Sequence, residues 1–365
     1  MSADADINHM RAALSLGRRG WGRTWPNPAV GCVIVSRGRV VGRGWTQPGG
    51  RPHAEPQALA QAGAAARGST VYVTLEPCAH HGQTPPCAEA IIAAGAARVV
   101  IACGDPDPRV AGRGIAALRA AGVEVQTGVL EAEGTRDLAG FFSRITRARP
   151  EILLKLATSF DGRIATASGQ SRWITGGGAR RAVHLMRAQH DAVMIGAGTA
   201  RSDDPDLTVR GIGAVRQPVR IVVSRALDLP LDGRLARTAH DVPLWLIHGP
   251  DVPPATLAAW DGRGARLIDC PLDAGGLDPA AAMQALGAAG LTRVFCEGGG
   301  ALAASLLRRG LVDRLAGFTA GLVLGADARA CVGALGLDAL DAAPRFDLED
   351  MRPVGGDTLA LWRRA

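Results

Sequence analysis

His53 and Glu55 stand two residues apart at the head of HAEPQALAQAG, a segment whose apolar spacing predicts a helix starting there. Downstream, EPCAHHGQTPPC follows a strand-like run, with Cys78 just past the expected strand end and Cys87 at the expected start of another helix. A helix N-terminus favours thiolate over thiol, and thiolate is the form that binds a metal. One imidazole and two thiolates fill three corners of a zinc tetrahedron and leave the fourth to water, as in a catalytic site. Glu55 is too close to His53 in sequence to serve comfortably as a second ligand. It can instead take a proton from that water and deliver it to a leaving amine. Two other readings stay open. A closed structural zinc site could be completed by His80, His81 or Cys103, leaving Glu55 without a task, or the cysteines could simply be small buried apolar groups.

The pattern is similar to the H-x-E and P-C-x-x-C signature of zinc deaminases. It departs in one respect: eight residues separate the two cysteines here, where the signature has two.

The elements that must position these side chains read as an α/β unit of about 145 residues. A helix is expected over His9–Arg19, then a loop, WGRTWPNP, and a hairpin made by VGCVIV and RVVGRGW. After the helix at His53 come strand TVYVTLEP, helix CAEAIIAAGA, strand RVVIACG, helix GIAALRAAG and strand VEVQTGV, with a last helix over Glu131–Ile145. Pro150 follows a basic stretch and precedes a fresh strand, EILLKLATS, which places a boundary near 147–151 and domains at 1–148 and 149–365. Beyond it, AVMIGAGT, VRIVVSR, PLWLIHG, ARLIDC and RVFCEGGG read as strands, with helices such as GARRAVHLMRAQH and ALAASLLRRG between them.

Composition narrows the class. A chain of 365 residues exceeds one ordinary core and suits two domains. No apolar run reaches the 18 or so residues of a membrane span, and the polar start MSADADINHM lacks the apolar core of a secretory signal, so a cytoplasmic protein is expected. Seven scattered cysteines do not form a disulfide framework and read as reduced. There are 17 basic and 11 acidic residues up to Arg149, against 24 and 23 beyond it. The excess positive charge therefore sits in the first part, where it could attract a nucleic acid or a phosphorylated small molecule. Aromatic residues, at 4%, are sparse for a base-stacking surface.

In the second part, VFCEGGGALAASLL runs strand, three glycines, helix, and leaves bare N–H groups where a helix N-terminus could seat a phosphate. Tight turns alone also explain such glycines, and neither this segment nor VMIGAGTARSDDP matches the G-x-G-x-x-G fingerprint. The only lysine, Lys155, is either a group that helps protonate or orient a sugar or a solvated strand-end charge.

TWPNPAVGCVIV, HAEPQAL and PCAHHGQTPPC together resemble the deaminase half of the RibD family of bifunctional riboflavin-biosynthesis deaminase/reductases. KLATSFDGRIA, SRWITG, IGAGTARSDDPDLTVR and CEGGGALAASLL resemble its reductase half, in the same order. The resemblance implies a cytidine-deaminase-like three-layer α/β/α domain followed by a dihydrofolate-reductase-like α/β domain. It implies zinc on His53, Cys78 and Cys87, Glu55 as the catalytic proton shuttle, and Asn27 against the pyrimidine, although Asn27 is equally readable as a turn residue between prolines. It further implies NADPH contacts from Ala157, Trp173, Thr199, Asp203, Ser224 and the turn Gly299, Gly300, Ala301, Leu302, Ala303, Ala304 and Ser305. Substrate contacts are implied from Ser171, Arg187, Leu207, Arg210 and Glu297, with the two arginines clamping a 5′-phosphate. The expected partner is a phosphorylated pyrimidine, with no nucleic acid or membrane, and the expected assembly is a homodimer or homotetramer. One rival is a deaminase of RNA or free nucleosides fused to an unrelated domain. Another is a zinc-stabilised binding protein without activity.

Overall fold

The computed structural model describes residues 3–80, 85–213 and 216–365. The chain divides into two compact units between Ala148 and Arg149.

The first unit is built from α1 (Ala3–Gly17), β1 (Gly31–Ser36), β2 (Arg39–Trp45), α2 (Ala54–Ala62), β3 (Thr70–Leu75), α3 (Cys87–Ala93), β4 (Arg98–Cys103), α4 (Arg113–Ala120), β5 (Glu124–Thr127), α5 (Glu131–Asp137) and α6 (Ala139–Arg147). The strands order as β2-β1-β3-β4-β5. β1 pairs antiparallel with β2 and β3, and β3, β4 and β5 run parallel. Side chains alternate across a pleated sheet, and both faces here are apolar. Cys32, Ile34, Val71, Val73, Val99 and Ile101 pack with Ala54, Ala58, Ile91 and Leu118 of the helices on one face. Val33, Val35, Tyr72, Val100 and Ala102 pack with Met10, Ala13 and Leu14 of α1 on the other. Burial on both faces is what makes the unit three layers deep.

Two helices differ from expectation. The first begins at Ala3 rather than His9 because its polar opening turn is anchored. Asp6 accepts from Tyr72 Oη at 2.7 Å and from both terminal nitrogens of Arg98, and acidic groups suit a helix N-terminus. The helix expected over Glu131–Ile145 is two helices, α5 and α6, that meet at Leu138.

The second unit runs β6 (Glu151–Ser159), β7 (Arg163–Ala165), α7 (Gly177–Ala188), β8 (Ala192–Gly196), α8 (Ala197–Asp203), β9 (Val219–Val223), α9 (Arg234–Arg237), β10 (Leu244–His248), α10 (Pro254–Asp261), β11 (Arg266–Asp269), β12 (Leu272–Asp273), β13 (Gly276–Leu277), α11 (Pro279–Ala288), β14 (Arg293–Cys296), α12 (Gly300–Arg308), β15 (Arg314–Ala320), β16 (Arg329–Ala330), β17 (Phe346–Val354) and β18 (Asp357–Arg364). Its main sheet orders as β11-β10-β9-β8-β14-β6-β15-β18-β17. All neighbours are parallel except β15–β18 and β18–β17. From β8 the chain steps outward through β9, β10 and β11, and β14 then returns to lie between β8 and β6. That reversal opens a crevice outside the carboxyl ends of β8 and β14, the usual ligand position of an open α/β sheet. The strand expected to run through GAGT stops at Gly196, and Thr199 and Asp203 lie four apart on α8.

Candidate active sites

In the first unit the glycines of β2 bring α2 close. A β-carbon on Gly44 would lie 2.0 Å from the Ala54 carbonyl oxygen, and one on Gly42 would lie 2.2 Å from that of Ala58. Without side chains there, α2 beds directly on the strand and the position of its first turn is set. His53 is the N-cap residue, with extended backbone, but its ring makes no capping hydrogen bond. The ring turns instead to the cysteines, with Nδ1 3.4 Å from Cys87 Sγ and 3.8 Å from Cys78 Sγ. The Cys87 backbone N–H, at the head of α3, donates to Cys78 Sγ at 3.3 Å.

The three ligating atoms lie within 4.8 Å of one another, and no fourth His, Cys, Asp or Glu joins them among the described residues. Cys103 donates its thiol to the Thr74 carbonyl instead, and His81 lies outside the described residues. His80 lines the adjoining cavity, with its Nδ1 buried and without a hydrogen-bond partner among the described residues. The interaction between the two thiols, aided by His53, pulls the Cys78 thiol down to about 4, and the same thiol–thiol interaction together with burial pushes Cys87 up. His53 is raised chiefly by its bond with Cys78. Glu55 is buried beside them, and loss of water is the main cause raising its carboxyl. Two thiols and an imidazole that converge, with no fourth protein donor among the described residues, suit zinc in an open site.

His53, Cys78 and Glu55 border a cavity of about 250 Å³. Asn27 lines it and donates Nδ2 to the Gly50 carbonyl at 2.9 Å, which holds the amide in place and leaves its oxygen as an acceptor. Several wall residues escaped the sequence reading, among them Asp105, Asp107 and Arg109 after β4, and Phe141 and Arg144 on α6. DPDPR was a visible signal, because it follows the carboxyl end of a central strand, where α/β sites gather. Arg109 makes a bidentate pair with Asp107, while burial raises the Asp105 carboxyl to about 6.

In the second unit, the crevice beside β8 and β14 collects Ala157, Ser171, Thr199, Asp203 and Glu297, together with the turn Gly298–Leu302. The turn heads α12, a nine-residue helix, so bare N–H groups and the positive helix end face the cleft. These features fit the phosphates of a dinucleotide. An adjoining cavity gathers Trp173, Arg187, Leu207 and Arg210 against Lys155 and Glu297. The Arg187 fork holds Glu297 through Nε at 2.5 Å and Nη2 at 3.1 Å, and its Nη1 donates to the Thr208 carbonyl at 2.8 Å. Three of its five donors are thus engaged, and two remain for a ligand. Arg210 sits at the rim, paired with Asp206, and its backbone N–H donates to His184 Nδ1 at 3.1 Å. Trp173 stays 69% exposed beneath the Arg180 guanidinium, 4.5 Å from the ring centroid. Lys155 lies inside β6 and lines both cavities, so it is not a solvated strand-end charge.

Four expected contacts lie elsewhere. Ser224 is buried after β9 and bonded to Asp228. Ala303 and Ala304 are buried in α12, and they and Ser305 lie outside the cleft lining because the helix axis carries them away from its N-terminal end.

Comparison with known proteins accords with this geometry. Residues 3–103 match the cytidine and deoxycytidylate deaminase zinc-binding region, and residues 150–360 match the RibD C-terminal domain. The riboflavin biosynthesis protein RibD of Escherichia coli K12 is 42% identical, across 96% of this chain and 97% of its own length, and that of Aquifex aeolicus is 37% identical with both chains fully covered. Among solved structures, Acinetobacter baumannii RibD superposes with a TM-score of 0.90 at 36% identity, with both chains covered in full. A diaminohydroxyphosphoribosylaminopyrimidine deaminase/5-amino-6-(5-phosphoribosylamino)uracil reductase from Thermotoga maritima does so at 0.86 and 32%, covering 100% of this chain and 99% of its own. With a zinc-binding deaminase fold, a reductase fold and full-length relatives in agreement, the chain belongs to the RibD family of bifunctional, zinc- and NADPH-dependent deaminase/reductases of riboflavin biosynthesis.

Proposed function

We propose that residues 1–148 carry out the hydrolytic deamination of 2,5-diamino-6-ribosylamino-4(3H)-pyrimidinone 5′-phosphate, and that residues 149–365 then reduce the ribosyl group to a ribityl chain. The observation that carries the reading is the convergence of His53, Cys78 and Cys87, with Glu55 buried beside them at the wall of a cavity. Zinc held by those three supplies a Lewis acid that makes water nucleophilic near neutral pH. Glu55 takes the proton released as water adds to the amino-bearing ring carbon and returns it to the departing nitrogen, so that water enters and ammonia leaves. Asn27 presents its fixed amide oxygen to the ring.

For the second step, NADPH bound in the cleft would supply the hydride that reduces C1 of the opened sugar. The chain contributes position and charge. The turn at Gly299 and Gly300 and the face of α8 bearing Thr199 and Asp203 seat the cofactor, while Arg187, Arg210 and Glu297 orient the substrate beside Lys155. A cytoplasmic homo-oligomer is the proposed state. Leu348 and Met351, exposed on the edge strand β17, support self-association, and the free cysteines accord with a reducing compartment.

The test incubates pure zinc-loaded protein with the diaminopyrimidinone phosphate, with and without NADPH, and follows ammonia and the NADPH absorbance. Ammonia release in both reactions, with oxidation only where NADPH is present, is the expected result. Release without oxidation removes the second assignment, and silence in both channels removes the reading.

A further inference from the structure

Lys155, Arg172 and Arg329 are the cations that line the cleft beside β8 and β14. The first two also line the adjoining cavity and are already engaged. Lys155 and Glu297 feel each other's charge, and Arg172 donates Nη2 to the Asp203 carbonyl at 3.2 Å. Arg329 faces the cleft and not the adjoining cavity, and its guanidinium has no ion pair or hydrogen bond among the described residues. The carboxylates of the cleft are taken elsewhere, Glu297 by the Arg187 fork and Asp203 by the Ser202 hydroxyl at 2.9 Å.

The place of Arg329 is built from two sides. β16 carries it opposite Ala165 of β7. The residues that follow pack on the glycine turn: Gly333 donates its N–H to the Gly300 carbonyl at 3.0 Å, and a β-carbon on Gly300 would lie 3.2 Å from the Ala330 carbonyl oxygen. On the other side the guanidinium lies over the bare backbone of Gly169, where an added β-carbon would stand 3.0 Å from Nη2. The cation thus stands between the turn at 166–169 and the segment that packs on the head of α12. A helix head already favours an anion, and a guanidinium without a carboxylate partner adds a full charge and paired donors for the same group.

We infer that Arg329 is a cofactor-binding residue, whose guanidinium receives the diphosphate of NADPH together with the N–H groups at the head of α12. The substrate phosphate is left to Arg187 and Arg210 in the adjoining cavity, which Arg329 does not reach. The inference rests on the reading of this cleft as the NADPH seat.

The test measures the dissociation constants of NADPH and NADH on the full chain and on its Arg329→Ala and Arg329→Lys variants, from reduced-nicotinamide fluorescence at several salt concentrations. Both cofactors carry the diphosphate, and only NADPH carries the 2′-phosphate. Arg329→Ala should weaken the two by the same factor, about 10- to 100-fold, as expected for losing one charge-assisted contact to phosphate. It should also lessen the dependence of affinity on salt, and Arg329→Lys should recover part of the loss. The melting temperature of the cofactor-free variant and its KM for the deaminated phosphate at saturating NADPH should stay at the wild-type values, which checks that the second unit is folded. Unchanged affinity for both cofactors overturns the assignment, and so does a loss confined to NADPH, which gives Arg329 to the 2′-phosphate instead. A rise in substrate KM with cofactor affinity kept also overturns it. A wild-type chain that binds neither cofactor overturns the reading of the cleft as well.

Discussion

At the scale of single residues, the first site depends on a division of labour between two neighbours. His53 faces the thiols, while Glu55, in the first turn of α2, is buried but belongs to no ligand set. Glu55→Gln keeps the shape and removes the proton acceptor. Deamination should fall by at least about 10²-fold, while bound zinc, read by elemental analysis, stays at one per chain and reduction is untouched. Loss of the metal in that variant would reassign Glu55 as a ligand. These residue types were legible because metal and proton chemistry admit few side chains. The cavity wall was not: a carboxylate such as Asp105 or a cation such as Arg144 reads like any surface charge until the fold shows what it faces.

Elements hold these residues in register. The bare strand positions Gly42 and Gly44 seat α2, so Gly44→Val should drive the helix off β2, costing roughly 1–3 kcal/mol of stability, and lower zinc affinity in the same protein. A stability loss with unchanged zinc affinity would show that the helix head is held from elsewhere. The opening turn of α1 is secured by charge: the hydrogen bond from Arg98 holds the Asp6 carboxyl below its ordinary value of 3.8. A carboxyl lowered on folding contributes stability that is present above its unfolded value and is lost as pH falls through the folded one. The melting temperature of the first unit should therefore drop as the solution is acidified below about pH 4. Asp6→Asn should flatten that dependence and cost about 1–2 kcal/mol at neutral pH, because Arg98 loses its buried carboxylate and keeps only its outer contacts with Glu124 and Gln126. Apolar periodicity had placed the start of this helix six residues late, since its first turns are polar and are secured by a partner 92 residues away. The strands β15, β17 and β18 escaped for a related reason. β17 in particular is exposed along most of its length and shows no clean alternation.

For the whole molecule, two units with separate cavities imply two separable ligand responses. Chelation of zinc should stop ammonia release and leave NADPH oxidation running. At a concentration 100 times its dissociation constant, NADPH should stabilise the nine-stranded unit by about 2.7 kcal/mol, seen as slower amide exchange there and not in the zinc unit. Protection spread evenly over both would contradict separate sites. The sequence by itself determined the donor types, the alternation of strands and helices, and the glycine turn before α12, because each is written in local spacing and side-chain chemistry. Only the tertiary structure decided that Cys103 turns away from the metal donors, that Arg187 locks onto Glu297 at a separation of 110 residues, and that β14 returns beside β8 to open the cleft. Those outcomes depend on strand order and on which buried charges find one another, and no local window of sequence contains either.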